Sequence, residues 1–110
     1  MVSSALAGLT DLDGAITQIQ QAIARRATAN RQANLGMLQH ARGRLQEAEA
    51  AFRLAVEKRP GEPVFHYHLG LAYSKAGDKA AARQALEQAL KLKADFEGAD
   101  DARKLLRSLG

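Results

Sequence analysis

The chain has 110 residues, no Cys, and a formal net charge of +4 from 16 basic and 12 acidic side chains. One domain is expected at this length, and an apolar fraction of 46% argues against a disordered chain. The absence of Cys excludes disulfides, thiolate metal sites and Cys nucleophiles. Ala and Leu are abundant whereas Val and Ile are few, which favours an all-α protein over a sheet protein.

The first predicted helix spans residues 10–27. It carries an apolar stripe at spacings of four, three and four residues, formed by Leu12, Ile16, Ile19 and Ile23, which indicates one buried face. We interpret this helix as the second helix of a degenerate preceding repeat at 10–28, ended by a turn within residues 27–30. Residues 1–9 are too short for a complete first helix, so we expect a truncated repeat at this end.

A repeat with a period of 34 residues follows, with units at 29–62 and 63–96. The matched residues are the pairs Leu35-Gly36 and Leu69-Gly70, the glycines Gly43 and Gly77, and Ala48 with Ala82, Phe52 with Leu86, and Ala55 with Ala89. Each unit predicts a helix of about 13 residues, a tight turn and a second helix of about 14 residues.

Local signals support this division of each unit. Gly77 suits a helix end that needs a positive φ, Asp78 suits the N-cap of the next helix, and Pro60 ends the second helix of the first unit. Gly36 and Gly70 lie inside helices, where Gly costs about 1 kcal/mol relative to Ala. Their matching phase predicts a close helix–helix crossing that tolerates no side chain.

Residues 97–110 predict a capping helix. Its apolar side is formed by Ala99, Ala102, Leu105, Leu106 and Leu109. Asp100 and Asp101 belong to the solvated side, and their charge suits the first turn of a helix. Such a helix covers apolar surface that the last repeat would otherwise expose.

These motifs resemble the tetratricopeptide repeat family, whose unit has 34 residues with Leu-Gly, Tyr, Gly, Ala, a large apolar residue, Ala and Pro at fixed places. The resemblance implies an all-α, right-handed α-solenoid of antiparallel helix pairs, with about six helices in a single domain over 1–110. The residues expected to pack the repeats are Leu35, Gly36, Ala48, Phe52, Ala55, Leu69, Gly70, Tyr73, Ala82, Leu86 and Ala89. Gln32, His66 and Gln39 depart from the family's aromatic positions, which weakens the packing expectation without changing the predicted fold.

The resemblance also implies a concave groove lined by the first helices of the units. The residues expected to face it are Asn34, Met37, His40, Val64, Tyr67, His68, Leu71 and Lys75. We expect Tyr67 to be exposed there, because an aromatic ring with a polar tip is a frequent binding hot spot. The alternative is that Met37 and Leu71 only fill gaps between helices.

Such a groove predicts a protein–protein interaction scaffold that binds a peptide or helix of an unidentified partner protein. Ala33, Met37, Tyr67 and Leu71 stand where carboxylate-binding members of the family carry basic and amide groups. This composition argues against a chaperone C-terminal carboxylate as the ligand and favours an apolar or mixed segment.

Self-association is the alternative function. The stripe from Leu12 to Ile23 has no complete partner helix before it in the sequence, and an uncovered apolar face tends to find another surface. A homodimer through this helix would cover it.

The sequence offers no support for catalysis, a cofactor or a metal site. It contains no Ser–His–acid grouping in a credible context, no Gly-rich phosphate loop and no carboxylate cluster. His66 and His68 are two residues apart on a helix, so their side chains point about 200° from each other. We therefore predict that the chain is not an enzyme and uses no cofactor.

Arg25, Arg26 and Arg31 form the densest basic patch. We interpret them as cations that stabilise the C-terminus of the first predicted helix. A contact with an acidic partner or nucleic acid is the alternative, but no aromatic residue lies among them to stack on bases. We expect no nucleic-acid partner.

No apolar run approaches the roughly 18–20 residues of a membrane span. The first residues also lack the basic lead and the long apolar stretch of a signal peptide. We expect a cytoplasmic protein, or a periplasmic one if the sequence is an excised segment.

Overall fold

The computed structural model describes the backbone of residues 2–109 and the side chains of residues 14–109. The described backbone forms helices joined by short turns and contains no strand. They are α1 (Val2–Ala41), α2 (Leu45–Lys58), α3 (Pro63–Ala76), α4 (Lys79–Leu92) and α5 (Ala99–Leu109). The predicted all-α solenoid is confirmed, with α1–α2 and α3–α4 as helix pairs and α5 packed on α4.

The turns follow the local signals in the sequence. Gly77 ends α3 with φ 88°, in the left-handed region that favours Gly. The Asp78 side chain then accepts a hydrogen bond from the backbone N–H of Ala81 at 3.1 Å and caps α4. α2 ends at Lys58, two residues before Pro60. These signals set where one helix of each pair stops and the next begins.

Within each helix pair, the two helices cross closely at a glycine. A Cβ on Gly36 would lie 2.6 Å from Cε1 of Phe52, and a Cβ on Gly70 would lie 2.7 Å from Cγ of Leu86. Phe52 and Leu86 are the largest fully buried side chains among the described residues. The crossing that the repeat phase predicts is therefore present in both units.

Small and large apolar side chains alternate in the core around these crossings. The structure buries Ala48, Phe52, Ala55, Leu69, Ala82, Leu86 and Ala89. Tyr73 is half-buried, and its hydroxyl accepts a hydrogen bond from Nε of Arg53 at 2.9 Å. Burial of apolar area at roughly 25 cal/mol per Å² supplies the main stabilising free energy of such a stack.

The turn expected within residues 27–30 is absent, because α1 is continuous from Val2 to Ala41. The segment contains neither Gly nor Pro, and helices usually break at those residues. The Thr28 hydroxyl also donates to the Ala24 carbonyl at 2.8 Å, as helical Thr commonly does. The predicted helix at 10–27 and the first helix of the next unit are thus one helix.

Leu35 is a second correction, since it is 43% exposed instead of packing the repeat. Its counterpart Leu69 is 8% exposed and packs with Ala48 and Phe52 of the preceding helix α2. Within the described residues no helix covers the matching face of α1. The same repeat position is therefore buried in the second unit and exposed in the first.

The capping helix has the inner face that its sequence predicts. Ala99 and Ala102 are buried, and Leu105, Leu106 and Leu109 pack at the edge of the cluster around Leu86. Arg83 of α4 donates to the Leu109 carbonyl at 3.1 Å and ties the two helices together. Asp100 and Asp101 lie in the first turn of α5.

Candidate partner-binding groove

A continuous groove runs between α1, α3 and the segment that leads into α5. Three adjoining hollows form it, and all three share Met37 and His68 as common walls. α1 contributes residues 30–40, because this face of the helix turns toward α3. The groove is therefore built mainly by the first helices of the two units.

One hollow, here called the apolar hollow, has two imidazoles at its edge. Its volume is about 190 Å³, and its walls are Met37, His40, Phe52, His68 and Leu71. The His68 ring stacks on the buried Phe52 ring, with centroids 5.6 Å apart and planes 14° from parallel. Met37 is 47% exposed, so its thioether side chain is available to a ligand.

The other two hollows share Val64 and differ in chemistry. In one of them, Asn30 and Asn34 add amide groups beside Val64. In the other, Glu97 and Asp101 add carboxylates beside the edge of Tyr67. Around Met37 and His68 a ligand therefore meets an apolar hollow, hydrogen-bonding amides and negative charge.

Burial favours the neutral form of the two groove imidazoles. Desolvation lowers the pKa of His68 below its ordinary value, the nearby His40 lowers it further, and Glu97 acts in the opposite direction. Burial, followed by the charge of Lys75, also lowers the pKa of His40. Each neutral ring offers one nitrogen as donor and one as acceptor.

His40 also has an unused hydrogen-bonding atom. Its Nε2 is buried and, within the described residues, has no hydrogen-bond partner, and the same holds for Oε1 of Gln39. Leaving such an atom unpaired costs about 1–3 kcal/mol. Both atoms therefore carry a desolvation cost in the folded protein.

Most of the predicted groove residues are brought together. Asn34, Met37, His40, Val64, His68 and Leu71 line the hollows. Lys75 is exposed and acts on His40 through its charge. Glu97 and Phe52 also line the groove, although sequence reasoning did not select them. Glu97 follows a helix end, and no spacing rule predicts where such a segment turns.

Tyr67 departs from its expected exposure. It is only 9% exposed and packs with Leu86 and Ala102, with its ring 5.8 Å from that of Phe96. Burial, followed by the charge of Asp101, raises the pKa of Tyr67. The expectation of a ring exposed in the groove is wrong: Tyr67 contributes an edge to the wall and otherwise belongs to the core.

His66 lies on another face of α3. It is 9% exposed, and its Nε2 is 2.7 Å from the Pro60 carbonyl oxygen. A carbonyl oxygen can only accept, so Nε2 carries the proton. Within the residues whose side chains are described, no group of three or more His, Cys, Asp or Glu could hold a metal ion.

The basic patch also differs from its interpretation. Arg25, Arg26 and Arg31 lie inside the continuous helix α1, where no helix C-terminus exists for them to stabilise. All three are exposed. Their side chains therefore face solvent and not a helix end.

Comparison with known families agrees with the fold. Two family models, each described as tetratricopeptide repeat, match residues 3–63 and 39–109. The chain belongs to the tetratricopeptide repeat family, whose members generally mediate protein–protein interaction or assembly. No curated protein matches the chain. None of the helices in the described part of the chain is both long and apolar enough to span a membrane.

Proposed function

We propose that this protein is a non-catalytic scaffold that binds a short segment of a partner protein in the groove. The observation that carries the proposal is the half-exposed apolar hollow at Met37 and Leu71, which adjoins one hollow with amides and another with carboxylates. Peptide-binding sites commonly combine an apolar anchor pocket with a few polar groups that fix direction.

The charge of the groove specifies the ligand further. An apolar side chain fills the apolar hollow, and a Lys or Arg of the ligand faces Glu97 and Asp101. Burial lowers the pKa of His40 and of His68 and so favours the neutral rings, which add hydrogen bonds without repelling that cation. The preferred segment therefore carries an apolar residue close to a basic one.

Met37→Lys tests the groove. Peptides selected from a displayed random library on the wild-type protein serve as the probe, and their Kd is measured by fluorescence anisotropy. We expect Met37→Lys to weaken binding at least about tenfold, equivalent to 1.4 kcal/mol, because the substitution places a cation in the apolar hollow.

Leu54→Lys is the matched control. Leu54 is 42% exposed on α2, close to the 47% of Met37, and does not line the groove. Its substitution adds the same charge and should leave the Kd within a factor of two. Equal loss in both variants, or no loss in Met37→Lys, would contradict groove binding.

A second candidate function is self-association through the N-terminal part of α1. Every residue from 14 to 27 is exposed, including Ile16, Ile19 and Ile23. A run of exposed isoleucines on one helix face favours burial against another surface.

A further inference from the structure

We infer that residues 14–27 of α1, here called the arm, pair in antiparallel orientation with the arm of a second copy of this chain. The inference rests on the candidate function of self-association and adds the orientation and register of the pair. It is independent of the groove.

The arm presents a one-sided apolar stripe to solvent. Ile16, Ile19 and Ile23 are 45%, 59% and 62% exposed, and Ala29 is the first buried residue after them. Most helices in proteins are stabilised by packing of an apolar face. Within the described residues nothing packs on this face of the arm.

The spacing of the stripe matches a two-helix seam. It continues toward the start of α1 in the sequence at alternating steps of three and four residues, through Val2, Ala5, Leu9, Leu12, Ile16, Ile19 and Ile23. All a and d positions are thus apolar over about three heptads, the pattern of a coiled coil. The next two seam positions are Arg26 and Asn30, so the seam ends where the repeat units begin.

Charge selects the antiparallel orientation. Asp11 and Asp13 lie toward one end of the seam, and Arg25 and Arg26 lie at the other. Antiparallel pairing brings the acidic end of each copy to the basic end of the other, whereas parallel pairing brings like charges together. These charges flank the seam, so their attraction acts at longer range and weakens with salt, because the screening length is about 8 Å near physiological ionic strength.

The charges, together with the position at which the apolar stripe ends, also select the register of the pair. With Ile16 opposite Ile19 of the second copy, Leu12 comes level with Ile23 and Asp11 comes within one residue of Arg25. A shift of one heptad toward the N-termini brings the acidic residues of both copies together. The opposite shift sets Leu12 against Asn30, where α1 already packs on the repeat units.

The cysteine-free sequence allows a direct test with single Cys variants. We expect a mixture of Leu12→Cys and size-tagged Ile23→Cys chains to form a disulfide-linked heterodimer under mild oxidation. Ile23→Cys alone should not cross-link, because the two residues 23 are eleven residues apart along the axis. That separation is about 16 Å, and a disulfide needs Cα atoms within about 7 Å.

Light scattering on the Cys-free chain tests self-association separately from the orientation of the pair. We expect about 24 kDa, twice the 11.8 kDa of one chain. Ile19→Lys should return the mass to that of one chain, whereas the matched variant Gln21→Lys, on the outer side of the same helix, should remain dimeric. Retention of the dimer by Ile19→Lys would overturn the seam.

Three further outcomes overturn the inference, and they differ in whether self-association is contradicted as well. Efficient cross-linking of Ile23→Cys alone indicates parallel arms and leaves self-association standing. A dimer that gives neither cross-link indicates another surface. A mass of one chain at high concentration removes self-association as well, while peptide binding in the groove is unaffected.

Discussion

At the scale of single residues, small size is the property that the repeat specifies most strictly. Gly36 faces the Phe52 ring, and a Cβ would lie 2.6, 2.7 and 2.9 Å from three of its atoms. Phe52 is 1% exposed and stacks on His68, so the ring has little room to move. The phase of Leu-Gly in the sequence predicted this contact because both units need the same crossing.

Gly36→Ala should therefore destabilise the protein even though Ala is the better helix former. Overpacking costs about 1–3 kcal/mol, which exceeds the gain in helix propensity of about 1 kcal/mol. Urea unfolding measures the change. Gly14→Ala is the control, because nothing lies within 4 Å of its Cβ, and it should not lower the free energy of unfolding.

His68 should titrate below the ordinary His pKa of about 6.5. Its pKa is lowered in the fold, so His68 contributes stability that is present above pH 6.5 and is lost as the pH falls through 6.5 toward the folded-state pKa. NMR titration should show that His40→Gln raises this pKa and Glu97→Gln lowers it. Shifts of the same sign in both variants would contradict the electrostatics of the groove.

At the scale of helices, α4 begins with a side-chain cap and α2 begins without one. Asp78 caps α4 through the Ala81 N–H, whereas Arg44 precedes α2 without a side-chain cap. Both turns carry a glycine at positive φ, namely Gly43 and Gly77. The two units thus share turn geometry and differ in capping.

Asp78→Ala should lower the free energy of unfolding by about 1 kcal/mol, and Arg44→Asp should raise it by a smaller amount, because each changes one N-cap. Arg44→Asp also removes a 3.8 Å ion pair with Glu47, which is exposed and contributes little. Thermal unfolding followed by circular dichroism measures both. A loss of stability in Arg44→Asp would contradict the capping argument.

The helix scale is also where sequence reasoning failed most clearly. From its sequence, the helix at 10–27 is expected to end in a turn within residues 27–30, before the first helix of the next unit. α1 is nevertheless continuous, since residues 27–30 contain neither Gly nor Pro to break it. The consequence is an exposed arm with Ile16, Ile19 and Ile23 uncovered.

At the scale of the whole molecule, the chain is an elongated stack of 66 × 27 × 19 Å. The α3–α4 pair has a neighbouring helix on each side, because α2 packs on α3 and α5 packs on α4. The face of α1 that carries Leu35 and Leu38 has none among the described residues, and these side chains are 43% and 48% exposed. Position in the stack therefore decides whether a repeat residue is core or surface.

The sequence by itself determined the repeat, its turns, the close crossings and the residue types in the groove, because these depend on spacing within one unit. Only the tertiary structure decided that Leu35 is exposed, that Tyr67 packs against Phe96, and that Glu97 reaches the groove. Those three outcomes depend on which helix or segment lies next to the residue. A period of 34 residues specifies how a unit folds, but the neighbours of each unit decide which of its faces are buried.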